Sequence, residues 1–240
     1  MNPSSHFLFY SSRIENGTAF LDKEESRHVF SALRTSADDP IMITDGRGAI
    51  YECAIQEKTA EGATCAVIKK VPSSAPKKKI SLVVGLPEKE AFGELCGNLA
   101  SLGTSEIIPV ECEFCQGRWW KGWETQSVRI VKKMIAGIKQ AKSAWLPDCK
   151  PPEKLPAALE GCKGSLMLLA DENGAPFVDV VDRTKNAAAF SCIIGPPGGF
   201  SQKEIESLKA SGAVSVSLSK NRLRTELAAT LLCGMVAAIQ

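Results

Sequence analysis

From residue 79 onward the chain alternates two textures, and that alternation constrains its fold more than any other feature. "ISLVVGL" is an unbroken apolar run of strand length, and "EKEAFGELCGNLASLG" after it is a helix stretch closed by Gly103. "SEIIPV" is the next strand. "WETQSVRIVKKMIAGIKQAKSAW" is a long helix on which Val128, Val131, Met134 or Ile135, Ile138 and Trp145 recur every three to four residues. "SLMLLAD", "AAFSCIIG", a helix from Ser201, "AVSVSLS" and a last helix from about Thr225 follow. Strands that alternate with helices predict an α/β fold, a mostly parallel sheet with helices on both faces.

Residues 1–72 read differently. "HFLFY", "IMIT", "IYECAIQ" and "TCAVIKKV" are short β-like runs, and "DGRG" joins two of them as a hairpin with a slightly long loop. Asp22, with Glu25 three residues on, is a capping-box start for the helix "DKEESRHVFSAL". A small β-barrel with one helix fits this half. "VPSSAPKKK", residues 71–79, is the linker, so two domains are expected, 1–72 and 73–240.

Charge excludes little by its total, which is +2, but its distribution is informative. Residues 1–76 hold 8 Lys/Arg against 10 Asp/Glu, whereas the basic residues Arg118, Lys121, Arg129, Lys132, Lys133, Lys139, Lys142 and Lys150 crowd 115–150 against Glu124 and Asp148 alone. The start "MNPSSHFLFYSSR" shows no secretory pattern, and "LAATLLCGMVAAI" falls short of the ~20 residues of a membrane span and reads as a buried helix. Nine cysteines with no secretory pattern imply free thiols in a cytoplasmic protein. Cys112-x-x-Cys115 is the only close pair, with His6 and His28 the only histidines, so no metal is expected.

Two segments at predicted strand ends carry candidate chemistry, because ligands of open α/β sheets collect where strands end. Gly195-Pro196-Pro197-Gly198-Gly199 has more backbone control than a plain turn needs, and Ser201 with Glu204 caps the helix behind it. No phosphate-binding G-x-x-x-x-G-K-[ST] occurs. In "SLSKNRLRTELAAT", Arg222, Arg224 and Glu226 crowd a helix entry for which Thr225 is the expected N-cap. His28, inside an amphipathic helix, reads as structural. "RWWKGW" suits stacking of RNA bases between cations, or the packed start of the long helix.

Taken together, "IGPPGGFSQKEIESLKASGAVSVSLSKNRLRTELAA" resembles the C-terminal signature of the ribosomal RNA small subunit methyltransferase E family, the rRNA uridine-N3 methyltransferases of the SPOUT superfamily. "RHVFSALR" and "ITDGRGAIYECAI" resemble that family's N-terminal motifs, so the likeness spans nearly the whole chain. It implies a PUA-like β-barrel that binds RNA, followed by a trefoil-knotted α/β domain that forms a homodimer. S-adenosylmethionine would sit on three loops, with Leu169, Gly195, Pro196, Gly198, Gly199, Leu218, Ser219, Leu223 and Thr225 around it. Arg224 would orient the substrate and Glu226 fix the loop, while Arg118, Lys132, Lys133 and Lys139 would grip 16S rRNA or the small ribosomal subunit. Pro197, Ser219, Asn221, Leu227 and Ser143 depart from the family pattern. Several charged groups are thereby missing, and a non-catalytic RNA-binding or ribosome-assembly factor on the same fold is the alternative reading.

Overall fold

The structure, a computed structural model, describes residues 7–32, 40–185 and 187–239. His6, Leu33 and Arg34, used in the sequence reading, lie outside the described residues. The chain divides into two compact units, Met1–Ala75 with Ile135–Leu146, and Pro76–Met134 with Pro147–Gln240. The sequence reading drew one cut after residue 72; the structure also assigns the segment 135–146 to the first unit.

The first unit contains β1 (Leu8–Tyr10), β2 (Arg13–Glu15), β3 (Thr18–Asp22), α1 (Lys23–Ala32), β4 (Ile41–Thr44), β5 (Ile50–Lys58) and β6 (Gly62–Val71). Its six strands pair in the order β1-β4-β5-β6-β3-β2. Only β1 and β4 run parallel. Ser11 holds the corner between β1 and β2, its hydroxyl 2.7 Å from both Arg13 O and Phe20 O. Alternate residues of the strands point inward, and Phe9, Ala19, Leu21, Ile41, Ile43, Cys53 and Cys65 bury themselves with Val29 of α1. The sequence reading missed the β2–β3 hairpin. Its turn is Asn16-Gly17, both with left-handed φ (50° and 75°), the dipeptide that two-residue hairpin turns favour.

Half of the expected capping box at α1 forms. Asp22 Oδ1 accepts the Glu25 N–H at 2.8 Å, but the Glu25 carboxylate turns away from the cap. It accepts the Tyr10 N–H at 3.2 Å and pairs with the Lys139 ammonium. The segment 135–146 is tied to the β4–β5 loop by further bonds. Gly48 N–H donates to Ala144 O and Leu146 N–H to Gly46 O, both at 2.8 Å. A Cβ on Gly48 would stand 2.5 Å from the Trp145 ring, so only glycine admits that ring.

The second unit contains β7 (Lys79–Gly85), α2 (Lys89–Ser101), β8 (Glu106–Glu111), a 3-10 turn (Trp119–Gly122), α3 (Trp123–Ala141, shared between the units), β9 (Asp148–Cys149), β10 (Glu153–Lys154), α4 (Leu155–Gly161), β11 (Leu166–Pro176), α5 (Phe177–Lys185), β12 (Ala189–Ile194), α6 (Gln202–Ala210), β13 (Val214–Ser217) and α7 (Thr225–Ala238). The sheet order is β10-β8-β7-β12-β11-β13, with β9 beside β8, and every pairing is parallel. Central strands are apolar on both sides. Val83, Ile108, Leu169 and Ile193 pack with Leu155 and Leu159 of α4 and Leu208 of α6, while α2 and α7 pack together with β7 and β12. The α/β architecture expected from the alternation is thus present; α4, α5 and the two-residue strands were not anticipated.

Two helices differ from expectation. α3 ends at Ala141, because Lys142 adopts φ 54° and the Ser143 N–H closes back on Ile138 O at 2.9 Å. Its buried stripe is Ile130, Met134 and Ile138, leaving Val128 60% exposed and Trp145 beyond the helix. α7 is not buried all round: Ala228, Ala229, Leu232, Cys233 and Val236 face inward, and Leu227 stays 53% exposed.

Candidate functional site

The ends of β7, β11, β12 and β13 converge on a cavity of about 940 Å³, all of it within the second unit. Each wall has a local cause. At β11 the ladder to β13 slips, so that Ala170 and Ala175 both face Val216 and residues 171–174 are thrown out of register. Asp171 Oδ1 accepts the Asn173 N–H at 3.0 Å and holds that excursion. Gly174 sits so close to β13 that a Cβ would stand 2.6 Å from Ser215 C.

The Gly-Pro loop after β12 assigns a separate task to each residue. Gly199 N–H donates to Pro196 O at 2.7 Å, closing a turn with Pro197 at its second position and Gly199 at its fourth with φ 79°. Pro197, noted above as a departure from the resembled pattern, therefore pre-sets the turn. Pro196 lies against the end of β7, where a Cβ on Gly85 would come within 2.3 Å of Pro196 Cδ. Gly198 turns its bare α-carbon toward Phe114, since a Cβ there would stand 2.7 Å from Phe114 Cβ.

Behind the loop, Glu204 Oε2 accepts the Ser201 N–H at 2.8 Å, the well-formed arm of the expected capping box. The third wall is the segment after β13. Asn221 N–H donates to Ser219 Oγ at 3.1 Å, turning the chain. Thr225 is not the cap expected of it. Arg224 occupies the N-cap position, and the Thr225 hydroxyl donates to Gly195 O at 3.0 Å, clasping two walls of the cavity together. The Arg222 guanidinium makes a longer second tie, 3.4 Å to Pro197 O.

Leu169, Gly195, Pro196, Gly198, Gly199, Leu218, Ser219, Leu223, Arg224, Thr225 and Glu226, named from sequence, all line this one cavity. Sequence reasoning missed Pro87 and Glu88 in the turn after β7, Glu90 and Ala91 in the first turn of α2, and Glu172, Asn173 and Ile194. The rule that ligands gather at strand ends would have found the first group had it been applied to β7. The lining carries Glu88, Glu90, Asp171, Glu172 and Glu226 against Arg222 and Arg224, so the cavity favours a ligand with positive charge. Among the described residues no cluster of three or more His, Cys, Asp or Glu could hold a metal ion.

The basic residues named from sequence lie elsewhere. Arg118, Lys132 and Lys133 are exposed, on or just before α3. Lys139 is not: its side chain is 16% exposed and its ammonium is spent on Glu25, a correction to its expected role in gripping RNA. The "RWWKGW" run is packed. Trp119 Nε1 donates to Pro87 O and Trp120 Nε1 to Glu111 Oε1, each at 3.0 Å, and Trp119 lies 5.6 Å from the Phe92 ring. His28 is exposed, with its ring edge-on to Phe9 at 5.4 Å.

The profile of an RNA methyltransferase domain matches residues 73–237, more than half of the chain. The chain belongs to the RNA methyltransferase family. A second profile, the PUA domain of RNA methyltransferases, matches residues 21–68. Ribosomal RNA small subunit methyltransferase E of Mycobacterium bovis is 22% identical over 97% of this chain and 91% of its own. Among solved structures, the same-named enzyme of Neisseria gonorrhoeae, bound to S-adenosyl methionine, superposes with a TM-score of 0.82 at 22% identity, covering 95% of this chain and 96% of its own. A "probable rRNA-methyltransferase" of Porphyromonas gingivalis gives 0.82 at 25% identity, over 98% of each chain. The resemblance drawn from the signature segments is thereby borne out, and with it the pairing of a PUA-like unit with an α/β methyltransferase domain. No helix among the described residues is long and apolar enough to cross a membrane.

Proposed function

We propose that this member of the RNA methyltransferase family is an S-adenosylmethionine-dependent enzyme acting on small-subunit rRNA, and that its target is N3 of a uridine. The observation that carries the reading is the cavity: three loops of a methyltransferase domain converge there, clasped by the Thr225–Gly195 bond. The lining fits the cofactor. Its volume is that of a small-molecule site, Leu169, Ile194, Leu218 and Leu223 offer apolar surface to an adenosine, and the Gly198 N–H with the Gly198 and Gly199 carbonyls would offer neutral groups to its edge. Five carboxylates against two guanidinium groups suit a ligand carrying both a sulfonium and an ammonium.

When bound, the cofactor supplies a methyl group on a sulfonium, ready for in-line transfer to a nucleophile. The chain's own residues do the rest. The turn Pro196–Gly199, set by Pro197 and braced on Gly85, forms one wall of the cavity and would hold the cofactor in place. Arg224, exposed at the start of α7, is placed to orient the RNA substrate or its phosphate, and Glu226 in the first turn to fix the loop that carries it. We assign no general base. The first unit contributes RNA binding through its PUA-like sheet, Arg118 before the 3-10 turn joins Lys132 and Lys133 of α3 in gripping the RNA, and residues 73–240 act as the catalytic domain. A homodimer using the exposed flank of α7, a trefoil knot around the cavity and a cytoplasmic location complete the reading.

Mass spectrometry of rRNA nucleosides from cells with and without the gene tests this: 3-methyluridine should disappear from small-subunit rRNA in the deletion. An unchanged nucleoside profile would instead favour the non-catalytic assembly factor.

A further inference from the structure

Six of the nine cysteines are buried, but Cys112 and Cys115 stay partly open at the end of β8, in a turn that touches the cavity wall. Cys115 N–H donates to Cys112 O at 3.2 Å, which makes residues 112–115 a tight turn and brings the two α-carbons within the span a disulfide bridges. Both sulfurs gather at one carbonyl, Val110 O, 3.9 Å from Cys112 Sγ and 3.7 Å from Cys115 Sγ. Cys112 N–H also points at Cys115 Sγ, 3.3 Å away. We propose that Cys112 and Cys115 form a redox-active dithiol that exchanges with low-molecular-weight disulfides and, once oxidised, shifts the Pro196–Gly199 wall of the cavity.

The electrostatics agree with the geometry. The hydrogen bond from the Cys112 thiol, outweighing burial and helped by the N–H groups of Cys112 and Leu86, brings the Cys115 thiol down to about 7. Cys112, as the donor of that bond, is pushed up. Elsewhere burial does the opposite, raising Cys53 to about 12 and Cys65 to about 11. Cys115 is therefore the nucleophile and Cys112 the resolving thiol.

The exchange balances. Cys115 thiolate attacks one sulfur of the small disulfide, forming a mixed disulfide and expelling a thiolate, which takes the Cys112 proton. Cys112 thiolate then attacks Cys115 Sγ and releases the second small thiolate to solvent, where it is protonated. Two cysteines are oxidised and one small disulfide is reduced to two thiols.

The wall is reached through the two residues between the cysteines. Glu113 N–H donates to Glu204 Oε1 at 3.0 Å, and the other oxygen of that carboxylate accepts the Ser201 N–H behind the Gly-Pro loop. Phe114 stands against Gly198, so close that a Cβ there would not fit. A turn re-shaped by a disulfide would move both contacts at once.

The test equilibrates the full-length protein with mixtures of reduced and oxidised glutathione. Peptide mass spectrometry reads the Cys112–Cys115 link, hydrogen exchange reads residues 195–204, and calorimetry reads S-adenosylmethionine affinity. We expect an intramolecular link, faster exchange over 195–204, and cofactor affinity lower by about five-fold or more. Re-reduction should restore both, and Cys112→Ser with Cys115→Ser should respond to neither. No link, or a link that leaves exchange over 195–204 unchanged, overturns the proposal. The affinity arm rests on the cofactor reading above. Absence of binding by the reduced protein would sink that reading, and the exchange data would still decide on the switch.

Discussion

Replacing Thr225 with Val should loosen the cavity without changing its shape. The two side chains are nearly isosteric, so the variant removes one hydroxyl, the one that donates to Gly195 O at 3.0 Å. Thr225 is 6% exposed, which leaves water little room to replace the donor. A hydrogen bond of this kind contributes about 1 kcal/mol net, and stranding its carbonyl adds about 1 kcal/mol more. The expected loss of about 2 kcal/mol should lower Tm by roughly 4–8 °C in a chain of this size. The bond joins two walls of the cavity, so an affinity deficit should accompany the loss of stability: if the clasp holds the walls for binding, S-adenosylmethionine affinity falls about ten-fold or more, since 1.4 kcal/mol is a factor of ten. Thr225→Ser keeps the donor and should recover most of the affinity, though it loses a buried methyl. Differential scanning fluorimetry and calorimetry on the three proteins decide. Thr225→Val binding with wild-type affinity, or Thr225→Ser binding as badly as Val, would refute the clasp.

Four further outcomes follow from the same contacts. Gly85→Ala puts a Cβ 2.3 Å from Pro196 Cδ, and should cost about 1–3 kcal/mol in chemical denaturation and weaken cofactor binding, whereas Gly103→Ala, remote from the cavity, should spare binding. Lys139→Met strands the Glu25 carboxylate and should destabilise the protein by about 3 kcal/mol, while leaving the salt dependence of RNA binding unchanged. Charge reversal at Arg118 and Lys133 together should flatten the salt slope of RNA affinity by about two units, and an unaltered slope would place the RNA path elsewhere. With its thiol down at about 7, Cys115 should be alkylated by iodoacetamide at a rate that levels off by roughly pH 8, where an ordinary thiol keeps accelerating; peptide mass spectrometry across pH reads this.

Much of the architecture was legible because it follows from periodicity. Apolar runs such as Ile80–Val84 and Phe190–Ile194 are buried on both sides of a parallel sheet and carry no other signal. The Gly-Pro loop was legible as over-specified, and the structure divides its residues among bracing, turning and close approach. What stayed hidden depends on tertiary contacts. Thr225 looked like a cap because its local sequence says so, and only the approach of Gly195, thirty residues away, recruits its hydroxyl. Glu25 left its capping box for Lys139, which lies 114 residues on, so neither role could be read locally. Lys139 looked like its neighbours on a basic helix, yet one residue per turn faces inward there. The β2–β3 hairpin was different. Asn16-Gly17 announces it in the sequence, and the signal was overlooked among short, poorly apolar strands.

If the cavity of the second unit serves methyl transfer to small-subunit rRNA, the purified protein should methylate that RNA in vitro. Purified protein, methyl-labelled S-adenosylmethionine and small subunits from cells lacking the gene test it most directly, with the labelled nucleoside identified by mass spectrometry. Label should appear in 3-methyluridine and be abolished by Arg224→Ala while cofactor binding persists. Cofactor binding without any label in RNA would contradict it.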